Sequence, residues 1–340
     1  MRFRDSDPRL QPILLKQADG PPLENALSWA VEREGGGRGF SFTGEHYFSH
    51  WWNPNFRGLV LNGIVWAAGI EIPDGGIASQ LEDPIKMLIV TGHDHPVHDW
   101  EAVTVALIHA LELDPRVSVD MTETIEDLAG KGIKEYDALV MNYNNWGGLP
   151  GPSAEAKENL VNYLSGGGGL TAMHFTSGAF NGTLPKNQES DWELFRTEIL
   201  AGVFTWGESG HGPYGPFRVE ITERAHSITD GLAGFETADE LYDGLSADPS
   251  IEPLISAHSQ RTGKEEPLAW AREYGSGRVF QTVLGHSDES IHRAATLIRR
   301  GAVWSAGRDQ LPFDPPIVLA NKTGLRKGRA WMPSSEKESE

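Results

Sequence analysis

Residues 87–100 read MLIVTGHDHPVHDW, and this stretch decides the fold. The continuous apolar run at 87–91 is what a strand buried on both faces of a parallel sheet requires. A loop rich in glycine and histidine follows. Apolar side chains then recur at helical spacing from Trp100 to Leu111, with Asp99 placed to cap the helix. A buried strand, a loop and an amphipathic helix predict the first half of a βαβ unit.

The same alternation continues along the chain. Strands are predicted at 117–121, 138–143 and 170–175, with a helix at 153–164. This succession predicts an α/β fold with a doubly wound, mainly parallel sheet of the flavodoxin-like type, in which ligands bind beyond the carboxyl ends of the strands. After about Gly215 the pattern changes to short strands, which are predicted at 217–222, 241–245, 253–257, 267–272 and 279–284. A final helix is predicted at 289–305.

The two ends of the chain resemble each other. Residues 27–40 read LSWAVEREGGGRGF and residues 268–280 read LAWAREYGSGRVF. Each copy continues to a histidine, His46 or His286, and ends in a helix-like piece, GIVWAAG or GAVWSAG. Order, spacing and residue type agree, which indicates an internal repeat.

The repeat predicts how the chain is organised. Residues 1–75 are expected to be a partial repeat of the last third of a domain, and residues 76–84 a linker. Residues 85–312 form the complete domain, and residues 313–340 an irregular tail. Two strands and a helix are too few to bury their own apolar faces. The partial repeat is therefore expected to pack on the complete domain or to form a homo-oligomer.

Composition excludes several classes of protein. The 340 residues include no cysteine, which rules out disulfides, thiolate metal sites and a cysteine nucleophile. A formal charge of −19 repels phosphate backbones, so no nucleic-acid partner is expected. No apolar run approaches the ~20 residues of a membrane helix, and the first residues lack a secretory pattern. We therefore expect a cytoplasmic protein with no membrane partner.

Histidines follow the predicted strands, where ligands bind in such sheets. The loop after the first strand holds His93, His95 and His98, of which His98 lies nearest the helix start. His174 lies at the strand-to-helix turn where the strand at 170–175 ends, and it is expected to point into the cleft. His211 lies between two glycines, in a loop shaped for close approach to a ligand. Imidazole can ligate zinc or move protons near neutral pH.

These positions give a set of candidate site residues, each with an ordinary alternative as a cap, a solvated loop residue or core filling. The catalytic candidates are His174, His98, His211, Asp239 and Glu240. The candidates for substrate contact are Trp100, Asn144, Trp146, Ser177, Trp206, Tyr242 and His286. A possible binding site for a divalent metal such as zinc is predicted at His98, His174 and His211. Histidine density alone favours it, because no HExxH, Walker, GxGxxG or EF-hand spacing occurs.

Together these segments resemble the ThuA-like, or trehalose-utilisation, family. The matching pieces, in family order, are residues 98–100, 173–175, 210–212, 226–229, 239–242, Trp270, 277–279 and 285–286. The resemblance implies a class I glutamine-amidotransferase-like fold. It also implies a role in sugar catabolism, with trehalose, sucrose or their 3-keto derivatives as substrates. In such folds the turn at His174 carries a cysteine nucleophile, so glutamine hydrolysis by that route is excluded in a chain without cysteine.

The leading functional hypothesis is therefore an enzyme acting on a keto-glycoside or related disaccharide derivative. Hydrolysis, elimination and isomerisation stay open, by histidine acid/base or metal-assisted chemistry. Two other classes are weighed beside it. One is a non-catalytic carbohydrate-binding module with Trp146, Trp206 and Tyr242 as platforms. The other is a zinc-dependent hydrolase of a non-sugar substrate. The expected partner is a small-molecule carbohydrate.

Overall fold

A computed structural model describes residues 7–17, 25–44, 53–79, 84–92, 97–147, 149–311 and 314. The chain divides into two compact units, Met1–Asp83 and Pro84–Glu340. His46, the loop residues 93–96 and the predicted tail apart from Asp314 lie outside the described residues. In the described part of the chain, no helix is long and apolar enough to cross a membrane.

The first unit contains a three-stranded antiparallel sheet and one helix. Its strands are β1 (Leu10–Leu15), β2 (Ala26–Glu32) and β3 (Arg38–Phe42), in the order β1-β2-β3. Its helix is α1 (Pro54–Ala67), which begins where the Asn53 side chain accepts hydrogen bonds from the backbone N–H groups of Asn55 and Phe56. Proline at the first helical position suits this start, since its missing N–H would have no partner within the helix.

The second unit is built on a nine-stranded sheet. Its first strands and helices are β4 (Ile85–Val90), α2 (Trp100–Leu111), β5 (Val117–Thr122), β6 (Ala138–Met141), α3 (Ala154–Ser165) and β7 (Gly169–Met173). The middle strands are β8 (Gly202–Val203), β9 (Gly210–His211), β10 (Gly215–Ile221), β11 (Phe235–Asp239), β12 (Tyr242–Asp243) and β13 (Ser246–Ala247). The last elements are β14 (Pro253–His258), β15 (Glu265–Tyr274), β16 (Gly277–Thr282), α4 (Asp288–Arg293) and α5 (Ala295–Ser305).

The strand order is β11-β10-β14-β15-β16-β7-β6-β4-β5. The five strands from β16 to β5 run parallel, and the four from β11 to β15 pair antiparallel. The α/β prediction is confirmed, but a mainly parallel sheet is wrong, because the second half of the unit adds antiparallel strands. Tight turns join β15 to β16, and antiparallel neighbours need no helical crossover.

The core lies on both faces of this sheet. On β4, Met87 and Ile89 pack on one face with α2 and α5, while Leu88 and Val90 pack on the other with α3. All four side chains are fully buried. This two-sided burial explains why the run at 87–91 is continuously apolar.

Several predicted boundaries are wrong. The strand predicted at 170–175 ends at Met173, because residues His174–Gly178 turn into a 3-10 helix. Of the strand predicted at 241–245, only Tyr242–Asp243 forms a strand, β12, and the longer β11 at Phe235–Asp239 was not predicted. The helix predicted at 289–305 is interrupted at Ala294 and forms α4 and α5.

Corresponding contacts recur in the two copies of the predicted repeat. Arg38 lies over the Trp66 ring at 5.2 Å and donates to the Trp66 carbonyl. Arg278 lies over the Trp304 ring at 5.3 Å and donates to the Trp304 carbonyl. Each helix then ends at a glycine with positive φ, Gly69 or Gly307. The origin of residues 1–75 as part of a second domain stays a prediction, as does an oligomer formed through them.

A close glycine contact gives a test of this correspondence. A Cβ added at Gly63 would lie 2.3 Å from the Phe40 ring, and one added at Gly301 would lie 2.2 Å from the Phe280 ring. We expect Gly63→Ala and Gly301→Ala each to lower the free energy of unfolding by about 1–3 kcal/mol, because the ring must move in a packed site. Urea unfolding followed by circular dichroism measures the change.

Gly58→Ala is the matched control, since it lies on the same helix as Gly63 with nothing within 4 Å of the added Cβ. It should raise stability by up to about 1 kcal/mol through helix propensity. Equal effects of Gly58→Ala and Gly63→Ala would contradict the described packing.

Candidate functional site

The site lies where the parallel strands end. His98 follows β4, Asn144 follows β6, His174 follows β7 and His286 follows β16. The carboxyl ends of parallel strands meet at one edge of the sheet, so these side chains converge. They line a cleft together with Trp100, Val103, Asn142, Tyr143, Phe175, Thr176 and Gly285.

His174 is held in one orientation by the sheet. It has φ of 43°, in the left-handed region that a non-glycine residue seldom adopts, and it is only 3% exposed. Its Nδ1 lies 3.0 Å from the Val283 carbonyl oxygen. Because a carbonyl only accepts, Nδ1 carries the proton and the Nε2 lone pair faces the cleft. Burial, and next the neighbouring His98, hold the pKa of His174 well below its usual range.

Two groups face the Nε2 atom of His174. The Nε2 atom of His98 lies 3.2 Å away, and the Tyr242 hydroxyl lies 3.3 Å away. Tyr242 is 2% exposed, and burial raises its pKa well above its usual value. The interpretation of Tyr242 as a stacking platform is therefore wrong, because its ring packs in the core beneath His174 and Phe175.

Glu240 brings a carboxylate to the same place. Its Oε2 lies 3.2 Å from Nδ1 of His286, and its Oε1 lies 3.6 Å from Nδ1 of His211. The His286 contact is an ion-pair distance without good hydrogen-bond direction, since Nδ1 of His286 makes no hydrogen bond to the described residues. Burial opposes ionisation, but the contact with His286 and the nearby histidines lower the pKa of Glu240 overall.

Asp239 has a different role from its neighbour. It is fully buried and accepts backbone hydrogen bonds from Gly285 at 2.8 Å, Glu240 at 2.8 Å and His286 at 3.2 Å. Burial raises its pKa to about 6, although the three donors act in the opposite direction. Asp239 therefore fixes the loop that carries His286, and the prediction that it is a catalytic carboxylate is not supported by this placement.

Four of these residues could hold a metal ion. The ligand atoms of His98, His174, His286 and Glu240 all lie within 4.8 Å of one another. Two imidazole nitrogens bound about 2.0–2.1 Å from one tetrahedral ion lie about 3.3 Å apart. The 3.2 Å separation of the His98 and His174 Nε2 atoms matches that geometry. The hydrogen bond from His174 to Val283 is the type of outer contact that orients a ligating histidine.

His211 was predicted as a ligand and does not join this set. It lies on β9 with its side chain 39% exposed, and its Nδ1 is 2.8 Å from the Gly212 carbonyl oxygen. His286, predicted only as a substrate contact, takes its place among the four. No local pattern indicated this exchange, because the contact between Glu240 and His286 joins residues far apart in the chain.

The predicted substrate contacts divide into two groups. Trp100 and Asn144 line the cleft. The ring of Trp146 lies 5.3 Å from that of Phe175, which lines the cleft, and the ring of Trp206 lies 5.6 Å from that of Trp146. Ser177 is buried, and its hydroxyl has no hydrogen-bond partner among the described residues. One neighbour was missed altogether. Tyr214 is 40% exposed, places its ring 5.4 Å from His286 and bonds Ser287 through its hydroxyl. Its position between Gly212 and Gly215, in the same glycine-rich loop as His211, could have identified it as a candidate.

The second unit is an α/β fold with a cluster of three histidines and one glutamate at the ends of its parallel strands. The family model for ThuA, described as trehalose utilisation, matches residues 86–305, and the chain belongs to that family. The fold resembles that of a ThuA-like protein from Parabacteroides merdae ATCC 43184, with TM-score 0.57 and 23% identity over 68% of this chain and 93% of that one. A ThuA-like protein from Bacteroides uniformis ATCC 8492 gives TM-score 0.53 and 21% identity over 68% and 96% of the two chains. Comparison with curated proteins gave no match.

A substitution at Asp239 tests whether it organises the site. Asp239→Asn turns an N–H donor toward backbone N–H groups, so at least one of the three hydrogen bonds is lost. We expect the free energy of unfolding to fall by about 1–3 kcal/mol. Glu236→Gln, on the same strand with a 61% exposed side chain, is the control and should change little. Equal stability of Asp239→Asn and the wild type would refute the positioning role.

Proposed function

We propose that this protein is a metal-dependent enzyme that acts on a carbohydrate, with a keto-glycoside or related disaccharide derivative as substrate. The observation that carries the proposal is the convergence of His98, His174, His286 and Glu240 at the strand ends. Three imidazoles and one carboxylate form a ligand set typical of zinc and similar divalent ions. Such an ion, when bound, supplies a Lewis acid for a carbonyl oxygen of the substrate.

The donors of this cluster are prepared to bind a cation. His174 is neutral with its lone pair facing the cluster, and Glu240 is held ionised by its neighbours. Two imidazole nitrogens 3.2 Å apart either share one proton or ligate one ion. The Nε2 lone pair of His174 and the ionised carboxylate of Glu240 favour the second arrangement, because a cation compensates the charge of the carboxylate.

His211 is the group best placed to move a proton. Its Nδ1–H donates to the Gly212 carbonyl, so Nε2 is the ring nitrogen turned away from that contact. The ring lies against Tyr242 at 5.6 Å and remains open to solvent on its other side. A general base needs a nitrogen that is not bound to the metal, and His211 is not one of the four metal-binding candidates.

The carbohydrate assignment rests on the family and on the chemistry of the site together. The family is described by trehalose utilisation, and a keto-glycoside carries a C–H made acidic by the neighbouring ketone. In an elimination, a base takes that proton and the electron pair forms the enolate. The enolate then expels the C1 oxygen substituent, which leaves as an alcohol after taking a proton. His211 supplies the base, and the cluster faces the ketone oxygen.

Metal content tests the first half of this proposal. The purified full-length chain should contain about one divalent ion per chain by elemental mass spectrometry. His98→Ala and His286→Ala should each lose most of it, because a remaining three-donor site binds far more weakly. His258→Ala, an exposed histidine paired with Glu265, is the control and should keep the ion. A metal-free wild type, or full metal in His98→Ala, would contradict the proposal.

Turnover separates proton transfer from metal binding. His211→Ala should retain the ion but lose about 10²–10⁴-fold in turnover, the usual contribution of a general acid or base. His174→Ala should lose both, and its melting temperature should also fall, because the buried ring and its hydrogen bond to the Val283 carbonyl are removed. Assays use 3-keto derivatives of trehalose and sucrose, with metal content measured on the same samples. Full activity of His211→Ala would remove it from the mechanism.

A further inference from the structure

Asn144 is a buried amide in the wall of the cleft that also holds the candidate metal ligands. It is only 8% exposed and follows the end of β6. In the sheet, β6 lies between β7 and β4. The loop that carries Asn144 therefore leaves the sheet between the loops that carry His174 and His98. This places the amide in the same cleft as the two histidines, at the edge of the sheet where ligands bind in such folds.

One hydrogen bond fixes the orientation of this amide. The Oδ1 atom of Asn144 accepts from the backbone N–H of Trp146 at 3.1 Å. Only the oxygen of an amide can accept such a bond, so Nδ2 with its two N–H groups occupies the other position. No described residue accepts a hydrogen bond from Nδ2. Buried donors are normally paired, so free N–H groups in the wall of a cleft indicate a contact that a ligand completes.

Several other donors in the cleft wall are already used within the protein. The Thr176 hydroxyl and the Nδ1–H group of His174 each donate to a backbone carbonyl. The backbone N–H groups of Gly285 and His286 both donate to a buried carboxylate. These groups hold the site together and are not free to bind an oxygen of the ligand. The N–H groups of Asn144 are free to do so.

A hydrogen-bond donor contributes most to catalysis when it is oriented before the reaction begins, because it then need not reorganise as charge develops. Asn144 meets this condition through its bond with Trp146. Asn142 lines the same cleft, but no hydrogen bond to the described residues orients its amide. An amide is also neutral, so Asn144 forms no ion pair with Glu240. Its donors therefore remain available when the ligands around Glu240 are occupied.

We propose that the Nδ2–H group of Asn144 donates a hydrogen bond to the oxygen of the reacting carbonyl group and stabilises the negative charge that develops there. This adds a catalytic residue to the proposed function and rests on that function. In the elimination proposed for this site, the electron pair left by the departing proton moves onto this oxygen as the enolate forms. Asn144 keeps its own proton throughout. An isomerisation through the same enolate uses the same contact.

Calorimetric titration of the zinc-loaded full-length chain with acetohydroxamate tests the donor, because the anionic oxygen of this probe stands in for the charged oxygen of the reaction. Asn144→Asp keeps an acceptor for the Trp146 N–H but loses the donors and adds a charge. Asn144→Ala loses the acceptor and the donors but adds no charge. Only the loss of the donors is common to both variants, so both should bind the probe about tenfold more weakly than the wild type, or worse.

Asn162→Asp makes the same chemical change at an exposed position of α3 and should bind as the wild type. Three results would overturn the role of Asn144. These are equal affinity of Asn144→Ala and the wild type, weaker binding in Asn144→Asp alone, which would reflect repulsion by the added charge, and no binding by a wild type that holds zinc. A wild type that takes up no zinc contradicts the proposed function, and this inference with it. Metal content measured on each sample distinguishes these failures.

Turnover of the 3-keto derivatives of trehalose and sucrose gives a second test. Both Asn144 variants should keep their metal and lose about 10²–10³-fold in kcat, the usual effect of removing one such donor, with a much smaller change in KM. An unchanged kcat in a variant that retains the metal would remove Asn144 from the mechanism. If the wild type turns over neither derivative, the proposed substrate is wrong, whereas the titration still decides whether Asn144 is the donor.

Discussion

The hydrogen bond from His174 to the Val283 carbonyl is the interaction on which the site depends. It exists because β16 pairs in parallel with β7, with Thr282 opposite Met173, so the chains leave the sheet side by side. The bond fixes the tautomer and the direction of the Nε2 lone pair. The left-handed backbone at His174 turns that ring inward, at a conformational cost of about 1–3 kcal/mol that the surrounding packing must offset. Without this constraint His174 would have no fixed relation to His98.

A second constraint fixes the other half of the cluster. The carboxylate of Asp239 binds the backbone of Gly285 and His286, and so ties the end of β11 to the end of β16. Glu240, the next residue, then meets His286. The two strands lie four positions apart in the sheet, with β10, β14 and β15 between them. Their ends are joined by side-chain bonding and not by strand pairing.

Sequence patterns identified the parts of the molecule that depend on local order. The buried strand β4, the helix α2 with its Asp99 cap and the turn at His174 all follow from periodicity and from the rule on strand ends. The pairing of β10, β11 and β14 did not follow, because register between distant segments leaves no local trace. For the same reason the pattern did not distinguish Asp239 from Glu240. Adjacent residues point to opposite sides, and only the bond to Gly285 decides which one is buried.

The location of a bound ion tests the central claim most directly. Crystals of the full-length chain, soaked with zinc and measured on both sides of the zinc absorption edge, should show one anomalous peak in this cluster. The peak should lie about 2.0–2.1 Å from the Nε2 atoms of His98 and His174, with His286 and Glu240 completing the coordination. A peak elsewhere, or a fully hydrogen-bonded His98–His174 pair that excludes zinc, would contradict the account.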